Sequence, residues 1–215
     1  TFLRNGGDFA TYAGAYLLRW GEACVFTAPD LLAGRVAERI HGLSADEVFH
    51  RSFLAALFGE AVGRIIGPAF RSVADSTDFR RVDPRATRLL SPDDDAALHR
   101  LAEAVEDEAW EHSGIHFDRP PNFGRYVSGE LVSAGMLLAA GERLRNVGIV
   151  THPARRGQGY GRAVVSFMTA YALDGGGFGH CQTLLANAPS IAIARSLGYQ
   201  QYATALAVRL KGVAA

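Results

Sequence analysis

Residues 146–171 read NVGIVTHPARRGQGYGRAVVSFMTAY. Residues 147–151 form a short apolar, β-prone run of the kind that makes a buried strand. Pro153 stops the ladder, because it has no N–H to donate. Arg156-Gly157-Gln158-Gly159-Tyr160-Gly161 follows, with glycines at alternate positions. A helix comes next: Val164, Phe167, Met168 and Tyr171 are spaced i, i+3, i+4, i+7 and make one apolar stripe facing a sheet. A strand, a glycine loop and a helix N-terminus in that order make an anion site. The unpaired N–H groups of the first turn point outward, the macrodipole adds partial positive charge, and the missing Cβ atoms let a phosphate approach the backbone. Arg155, Arg156 and Arg162 add full charges around the same spot.

Spacing narrows the ligand. A nucleotide P-loop ends in Gly-Lys-Ser/Thr, which is missing from this stretch. A dinucleotide fingerprint is G-x-G-x-x-G with an acidic residue about 20 positions later on a strand; here the glycines run G-x-G-x-G and no such strand follows. Arg156, Gly159 and Gly161 instead fill the pattern Arg/Gln-x-x-Gly-x-Gly/Ala. With the lead-in Thr151-His152-Pro153, the stretch resembles the acetyl-CoA pyrophosphate loop of the GNAT superfamily of N-acetyltransferases.

A second segment agrees. Residues 181–199 read CQTLLANAPSIAIARSLGY. Residues 182–186 are β-prone, and Asn187-Ala188-Pro189-Ser190 is a turn that starts a helix, with Ser190 as its cap and Gly198 as its αL stop. A last strand is expected over residues 203–210. Strand, Asn, short helix and Leu197-Gly198-Tyr199 in that order are similar to the second half of a GNAT acetyl-CoA site. The resemblance covers residues 87–211. It implies an α/β (α+β) fold of the GNAT acyl-CoA N-acyltransferase type, a mixed, mostly antiparallel sheet flanked by helices.

The remainder of the chain is read from its residues. With 48% apolar and 20% charged side chains, the 215 residues have an ordinary globular composition, long enough for one large domain or two small ones. Equal basic and acidic counts, 22 each, argue against a nucleic-acid partner held by bulk charge. No 18-residue apolar run and no signal-peptide pattern at Thr1 are found, so a cytoplasmic protein that neither spans a membrane nor is secreted, and has no membrane partner, is expected. Cys24 and Cys181 lie too far apart in sequence for a C-x-x-C site and are read as reduced, buried thiols.

Residues 16–20 and 23–27 read as two strands, and Pro29 opens a helix that ends near His41. Ser44-Ala45-Asp46-Glu47 is a capping box for a helix carrying Val48, Phe49, Phe53, Leu54 and Leu57. Residues 63–70 are apolar, but Gly67-Pro68 restricts a strand there to an edge or a short length. Residues 79–88 are arginine-rich, contain Asp83-Pro84, and read as a connector. The expected division is therefore residues 1–85, a small α/β module of unknown role, and residues 86–215, the GNAT domain.

In the second part, residues 86–90 suit a first strand. Ser91-Pro92-Asp93-Asp94-Asp95 starts a helix with a cap, a first-turn proline and carboxylates at the positive dipole end. Capping explains the three aspartates without a metal. His112 and His116 are spaced i, i+4, which suits zinc on a continuous helix, but Ser113-Gly114 interrupts it and no third ligand is near. No metal is expected. Residues 124–128 and 131–140 form a hairpin across Ser128-Gly129-Glu130 and lead into the strand at Val147.

The resemblance implies transfer of an acetyl group from acetyl-CoA to an amine without a covalent enzyme intermediate. The backbone of Ile149, Val150 and Thr151 pairs with pantetheine, and one of their N–H groups polarises the thioester carbonyl. The loop Arg156, Gly157, Gln158, Gly159, Tyr160, Gly161 and Arg162 holds the pyrophosphate, and Asn187 anchors the pantetheine from the neighbouring strand. The segment around Trp110, Glu111 and His112 walls the acceptor pocket. A base must take the amine proton, and the leaving thiolate needs an acid. The Tyr that many members carry four residues before the Gly of the Leu-Gly-Tyr signature is Ala194 here, with Ser190 and Tyr199 as nearby substitutes. The Glu that some place before the loop is Arg145, with Glu142 three residues earlier. Glu111 and His112 are further base candidates, His112 for its neutral-range pKa. An active N-acetyltransferase on a small-molecule or peptide amine, with a homodimer allowed, is one reading. An acyl-CoA-binding sensor or inactive partner that kept the loop is the other.

Overall fold

The computed structural model describes residues 1–6, 12–84, 86–118 and 121–212. In chain order they form β1 (Phe2–Arg4), β2 (Gly14–Trp20), β3 (Ala23–Ala28), α1 (Asp30–Ile40), α2 (Ala45–Val48), α3 (Arg51–Phe58), β4 (Val62–Ala74) and β5 (Thr87–Leu89). Then come α4 (Asp95–Ala104), α5 (Asp107–Ser113), β6 (Asn122–Val127), β7 (Glu130–Ala139), β8 (Leu144–Thr151), α6 (Tyr160–Asp174), β9 (Phe178–Leu184), α7 (Ala188–Ser196) and β10 (Gln200–Leu210). By backbone proximity the chain forms two compact units: Thr1–Arg71 with Thr183–Asn187 and Gln201–Ala215, and Ser72–Gln182 with Ala188–Gln200. The division expected at Arg85 lies outside the described residues.

In the first unit the strand order is β1-β3-β2-β10-β4. Period-two alternation turns Ala15 and Leu17 of β2, Phe26 and Ala28 of β3, and Leu206, Val208 and Leu210 of β10 to one face. There they join Val36 of α1, Val48 of α2, and Leu54, Leu57 and Phe58 of α3. The capping box at Ser44 is present, its N–H reaching Glu47 Oε2 at 2.8 Å and its Oγ accepting from the Glu47 N–H. The helix it opens is not the long one expected. It stops after Val48, because His50 is extended (φ −133°) and its ring nitrogen accepts from the Ser52 N–H to cap a separate α3. The proline restriction on residues 63–70 also gives way: β4 runs for 13 residues beside β10 in this unit. Gly67 makes that possible. Its φ of +107° belongs to glycine, and a Cβ there would lie 2.6 Å from the Ala205 carbonyl oxygen.

In the second unit the order is β4-β9-β8-β7-β6-β5. Strands β5 to β8 form the expected antiparallel meander, with Thr87↔Arg125, Phe123↔Gly135 and Ser133↔Thr151 as rungs. The β6–β7 turn needs only Ser128 and Gly129, both at positive φ, the geometry of a tight hairpin. Strand β9 starts at Phe178 rather than Gln182, because Phe178, Gly179 and His180 pair with Leu144, Arg145 and Asn146 of β8; a Cβ on Gly179 would be 2.5 Å from Tyr199 Oη. α6 covers one face: Gly161 lies against Thr151 and Ile149, and Gly135 lies under Met168. α4 and α5 cover the other, where Leu98, Leu101 and Ile115 meet Ala134, Met136 and Val150.

α6 buries more than the expected stripe. Val164 and Met168 are fully covered, but so are Ala163, Ser166 and Ala170, whereas Tyr171 is 48% exposed. The reason is the arginine-rich connector. The Val82 N–H donates to Ser166 Oγ (3.0 Å) and the Arg80 N–H to the Leu197 carbonyl (2.9 Å). Gly198 ends α7 at φ +89°, as expected, with the Asp78 carbonyl 1.9 Å from where a Cβ would stand.

Asp94 does more than fill a first turn. Ser91 and Asp94 form a capping box around a 3₁₀ turn over Pro92–Asp94, and α4 begins only at Asp95. The Asp94 carboxylate, 8% exposed, also receives both Arg88 nitrogens at 2.6 and 2.7 Å and the Tyr126 hydroxyl at 2.6 Å. The Arg88 fork holds its pKa far below the usual carboxylate range, against the opposing effect of burial. A depressed carboxyl stabilises the fold above its unfolded pKa of about 4 and loses that contribution as pH falls below it. Asp94→Asn should lower stability in urea by about 2 kcal/mol at neutral pH and show a shallower loss of stability on acidification than the parent. A second expectation comes from Gly148, where a Cβ would lie 1.6 Å from the Ser113 carbonyl oxygen. Gly148→Ala must push α5 off the sheet and should cost about 3 kcal/mol, read by the same denaturant titration.

Candidate active site

The site is built where two strands stop pairing. β8 and β9 run parallel and are bonded at Leu144↔Phe178, Arg145↔Gly179 and Asn146↔His180, and then separate. From Val147 to Thr151 one edge of β8 remains bonded to β7, with Gly135↔Ile149, Ala134↔Val150 and Ser133↔Thr151 as rungs. Its other edge faces the parted β9. Backbone groups there have no ladder partner and need one. Ile149 and Thr151 therefore line a slot that a single extended chain can enter as an added strand, whereas the backbone groups of Val150 turn to β7, its carbonyl accepting from Ser133 Oγ at 2.7 Å.

The loop closes the open end of that slot. His152 donates its N–H to the Val132 carbonyl, and its Nδ1 accepts from the Ala154 N–H, turning the chain through Pro153–Arg155. Gly157 and Gly159 then take φ of +75° and +81°. Among the described residues, apart from their chain neighbours, no heavy atom lies within 4 Å of a Cβ built on either, so that side of their backbone is open. α6 starts directly after Gly159, and its first intrahelical bond runs from the Ala163 N–H to the Gly159 carbonyl. The N–H groups of Tyr160, Gly161 and Arg162 precede that bond and have no acceptor within the helix. Arg156 and Arg162 are exposed beside them, Arg156 steadied by an Nε contact to the Thr151 carbonyl at 3.4 Å. Arg155 is diverted from this cluster: it pairs with Glu130 at 2.9 Å. The uncovered glycine backbone, the helix end and two arginines are the donor set that a pyrophosphate requires.

The structure brings the loop and strand residues together but not the proton-transfer candidates. Glu111 and His112 lie exposed on α5, whose last residue, Ser113, touches β8 at Gly148. α5 ends there, with Gly114 in the αL conformation, so His112 and His116 do not share a helix. Glu142 is exposed in the β7–β8 turn, at the far end of β8 from the loop. Ser190 does not cap α7. The helix already begins at Ala188, which places Ser190 inside its first turn. Asn187 belongs to the first unit, where its N–H donates to the Leu184 carbonyl. Tyr199 is excluded as the acid: it is 3% exposed, its hydroxyl lies 2.7 Å from Thr169 Oγ1, and burial raises its pKa well above its ordinary value. Ala194 is buried beside it in sequence terms, at 1%.

Sequence reasoning passed over two residues that the fold places at the fork. Asn146 and His180 share the last rung, and His180 Nδ1 lies 3.1 Å from Asn146 Oδ1. The usable signal was a histidine in an otherwise small and apolar run, residues 177–181. Cys181, next along β9, is buried, and burial pushes its thiol up to about 11, so no thiolate is available there.

Among the described residues, no helix is long and apolar enough to cross a membrane. Comparison with curated protein sequences gives no match. Among solved structures the fold is similar to a GNAT-family protein from Novosphingobium aromaticivorans (TM-score 0.53, 22% identity, 68% of this chain and 65% of that chain). It is likewise similar to a GNAT-family acetyltransferase from Colwellia psychrerythraea (TM-score 0.55, 18% identity, 74% and 61%). A third similar structure is a GCN5-related N-acetyltransferase from Kribbella flavida (TM-score 0.53, 20% identity, 74% and 64%). The chain spans less than two thirds of the length of each of these three. The sequence model of the acetyltransferase (GNAT) family matches residues 85–199, more than half of the chain and the whole of the loop, fork and α7 region. The chain belongs to the GNAT acetyltransferase family.

Proposed function

We propose that this protein transfers an acetyl group from acetyl-CoA to a primary amine by direct attack in a ternary complex. The observation that carries the reading is the separation of β8 from β9 directly above a glycine loop and helix N-terminus. GNAT proteins use acetyl-CoA, and the donors described above fit its pyrophosphate and its amide-bearing arm. Arg156, Arg162 and the backbone N–H groups of residues 157–162 bind the phosphates. The free edge at Ile149 and Thr151, with Val150 between them, orients the arm and offers an N–H to the thioester carbonyl, where negative charge develops. The C–N bond forms as the C–S bond breaks, and one amine proton leaves. Acceptor-side access runs over α5, where Glu111 and His112 are the exposed groups able to take that proton, directly or through water.

A second reading, an acyl-CoA-binding sensor, draws on one observation. The position of the expected thiolate acid is a buried alanine, and the neighbouring Tyr199 is tied to Thr169. The two readings separate in a thiol-release screen over amino acids, polyamines and short peptides: release with any amine supports the transferase, and silence across the panel supports the sensor.

Isothermal titration with acetyl-CoA, using NAD and ATP as controls, comes first. Binding of acetyl-CoA with Kd on the order of micromolar is expected, with neither control competing. Arg156→Ala should weaken it about tenfold or more, the worth of one charge-assisted contact. Equal or tighter binding of NAD or ATP would overturn the cofactor assignment.

A further inference from the structure

The slot ends at two successive rungs, one covered on each face. On the α4–α5 face, His180 is 1% exposed and its Nδ1 lies 3.1 Å from Asn146 Oδ1, so an imidazole–amide bridge spans the point where the strands part. Two residues nearer the mouth the Ser113 carbonyl rests on Gly148. On the α6 face the rung behind it, Arg145↔Gly179, is roofed by Thr169 and Tyr199, whose hydroxyls lie 2.7 Å apart and leave no room for a Cβ on Gly179. From Thr151 at the mouth to Asn146 at the bridge is five residues, about 17 Å at ~3.3 Å per residue. A thioester arm that enters past the loop and follows β8 therefore meets Asn146 and His180 at its acyl end.

We propose that the Asn146–His180 bridge is the floor of the slot and restricts the donor to thioesters of short acyl groups. The inference rests on the acyl-CoA reading above. A two-carbon group stops short of the bridge. A long chain would have to part the amide from the imidazole and press methylenes against two buried polar groups, which forfeits their hydrogen bond and their solvation together. Ser113 covers Gly148 on one face, and Tyr199 covers Gly179 behind the bridge on the other.

The test is titration of the full chain with CoA, acetyl-CoA and octanoyl-CoA, for the parent, His180→Ala and Asn146→Ala. The parent should bind CoA and acetyl-CoA alike and octanoyl-CoA about tenfold more weakly or worse. Either variant should keep the parent's CoA affinity and bring octanoyl-CoA to within about threefold of acetyl-CoA. CoA binding reports that a variant is folded, and if one variant loses it the other carries the comparison. Equal binding of acetyl-CoA and octanoyl-CoA by the parent, or an unchanged ratio in the folded variants, overturns the floor and leaves the CoA site standing. Loss of CoA binding in both variants makes the pair a fold element and overturns it as well. Failure of the parent to bind CoA at all overturns the cofactor reading and the floor with it.

Discussion

Everything proposed for the site depends on β8 and β9 parting after Asn146↔His180. A parallel pair that stayed bonded would satisfy its own backbone and leave nothing for a ligand to pair with. Two features hold the strands apart. On β8, the loop after Thr151 turns the chain into α6, and Gly161 lies tightly under Thr151. On β9, the Leu185 N–H that follows the strand donates to the Pro68 carbonyl within the first unit, so the strand's continuation is committed elsewhere.

Close backbone approach is the recurring device of the second unit. Gly148 accepts the end of α5, Gly179 accepts Tyr199, and Gly198 accepts the connector at Asp78. At Gly148 and Gly198 the approaching group is itself backbone, which fixes distances that a rotamer could otherwise relax, whereas at Gly179 it is the Tyr199 side chain. The result is that α5, the helix carrying Glu111 and His112, is set against β8 by a carbonyl rather than by a flexible side chain. Positional accuracy at that interface is what the proposed reaction between two bound substrates would need.

Much of this was legible in the chain. The strand, loop and helix over residues 146–171 follow from Pro153, the alternating glycines and the apolar spacing, because those constraints are local. The hairpin at Ser128-Gly129 and the stop at Gly198 follow from positive φ, which is also local. What could not be read depends on contacts distant in sequence. His50 breaking a helix, Gly67 letting a proline-bearing strand run for 13 residues, and β9 beginning at Phe178 each need a partner that the local pattern does not reveal. The Asn146–His180 pair is of the same kind: 34 residues separate two polar side chains that only strand register brings together. The three aspartates after Pro92 looked alike in sequence, and only Arg88 and Tyr126 single out Asp94.

The Arg88–Asp94–Tyr126 cluster has a bearing on how the molecule behaves in a crowd of its own copies. β5 is the last strand in the second unit's order and only three residues long, so its outer backbone edge is the natural template for pairing with another chain. Arg88 sits at its middle, and its guanidinium is drawn across to Asp94 and lies 4.9 Å over the Tyr126 ring. A short edge whose central residue is a fixed cation offers little length and an uninviting charge to an incoming strand. The same fork that anchors the entry to α4 therefore also acts as a guard against edge-to-edge sheet growth.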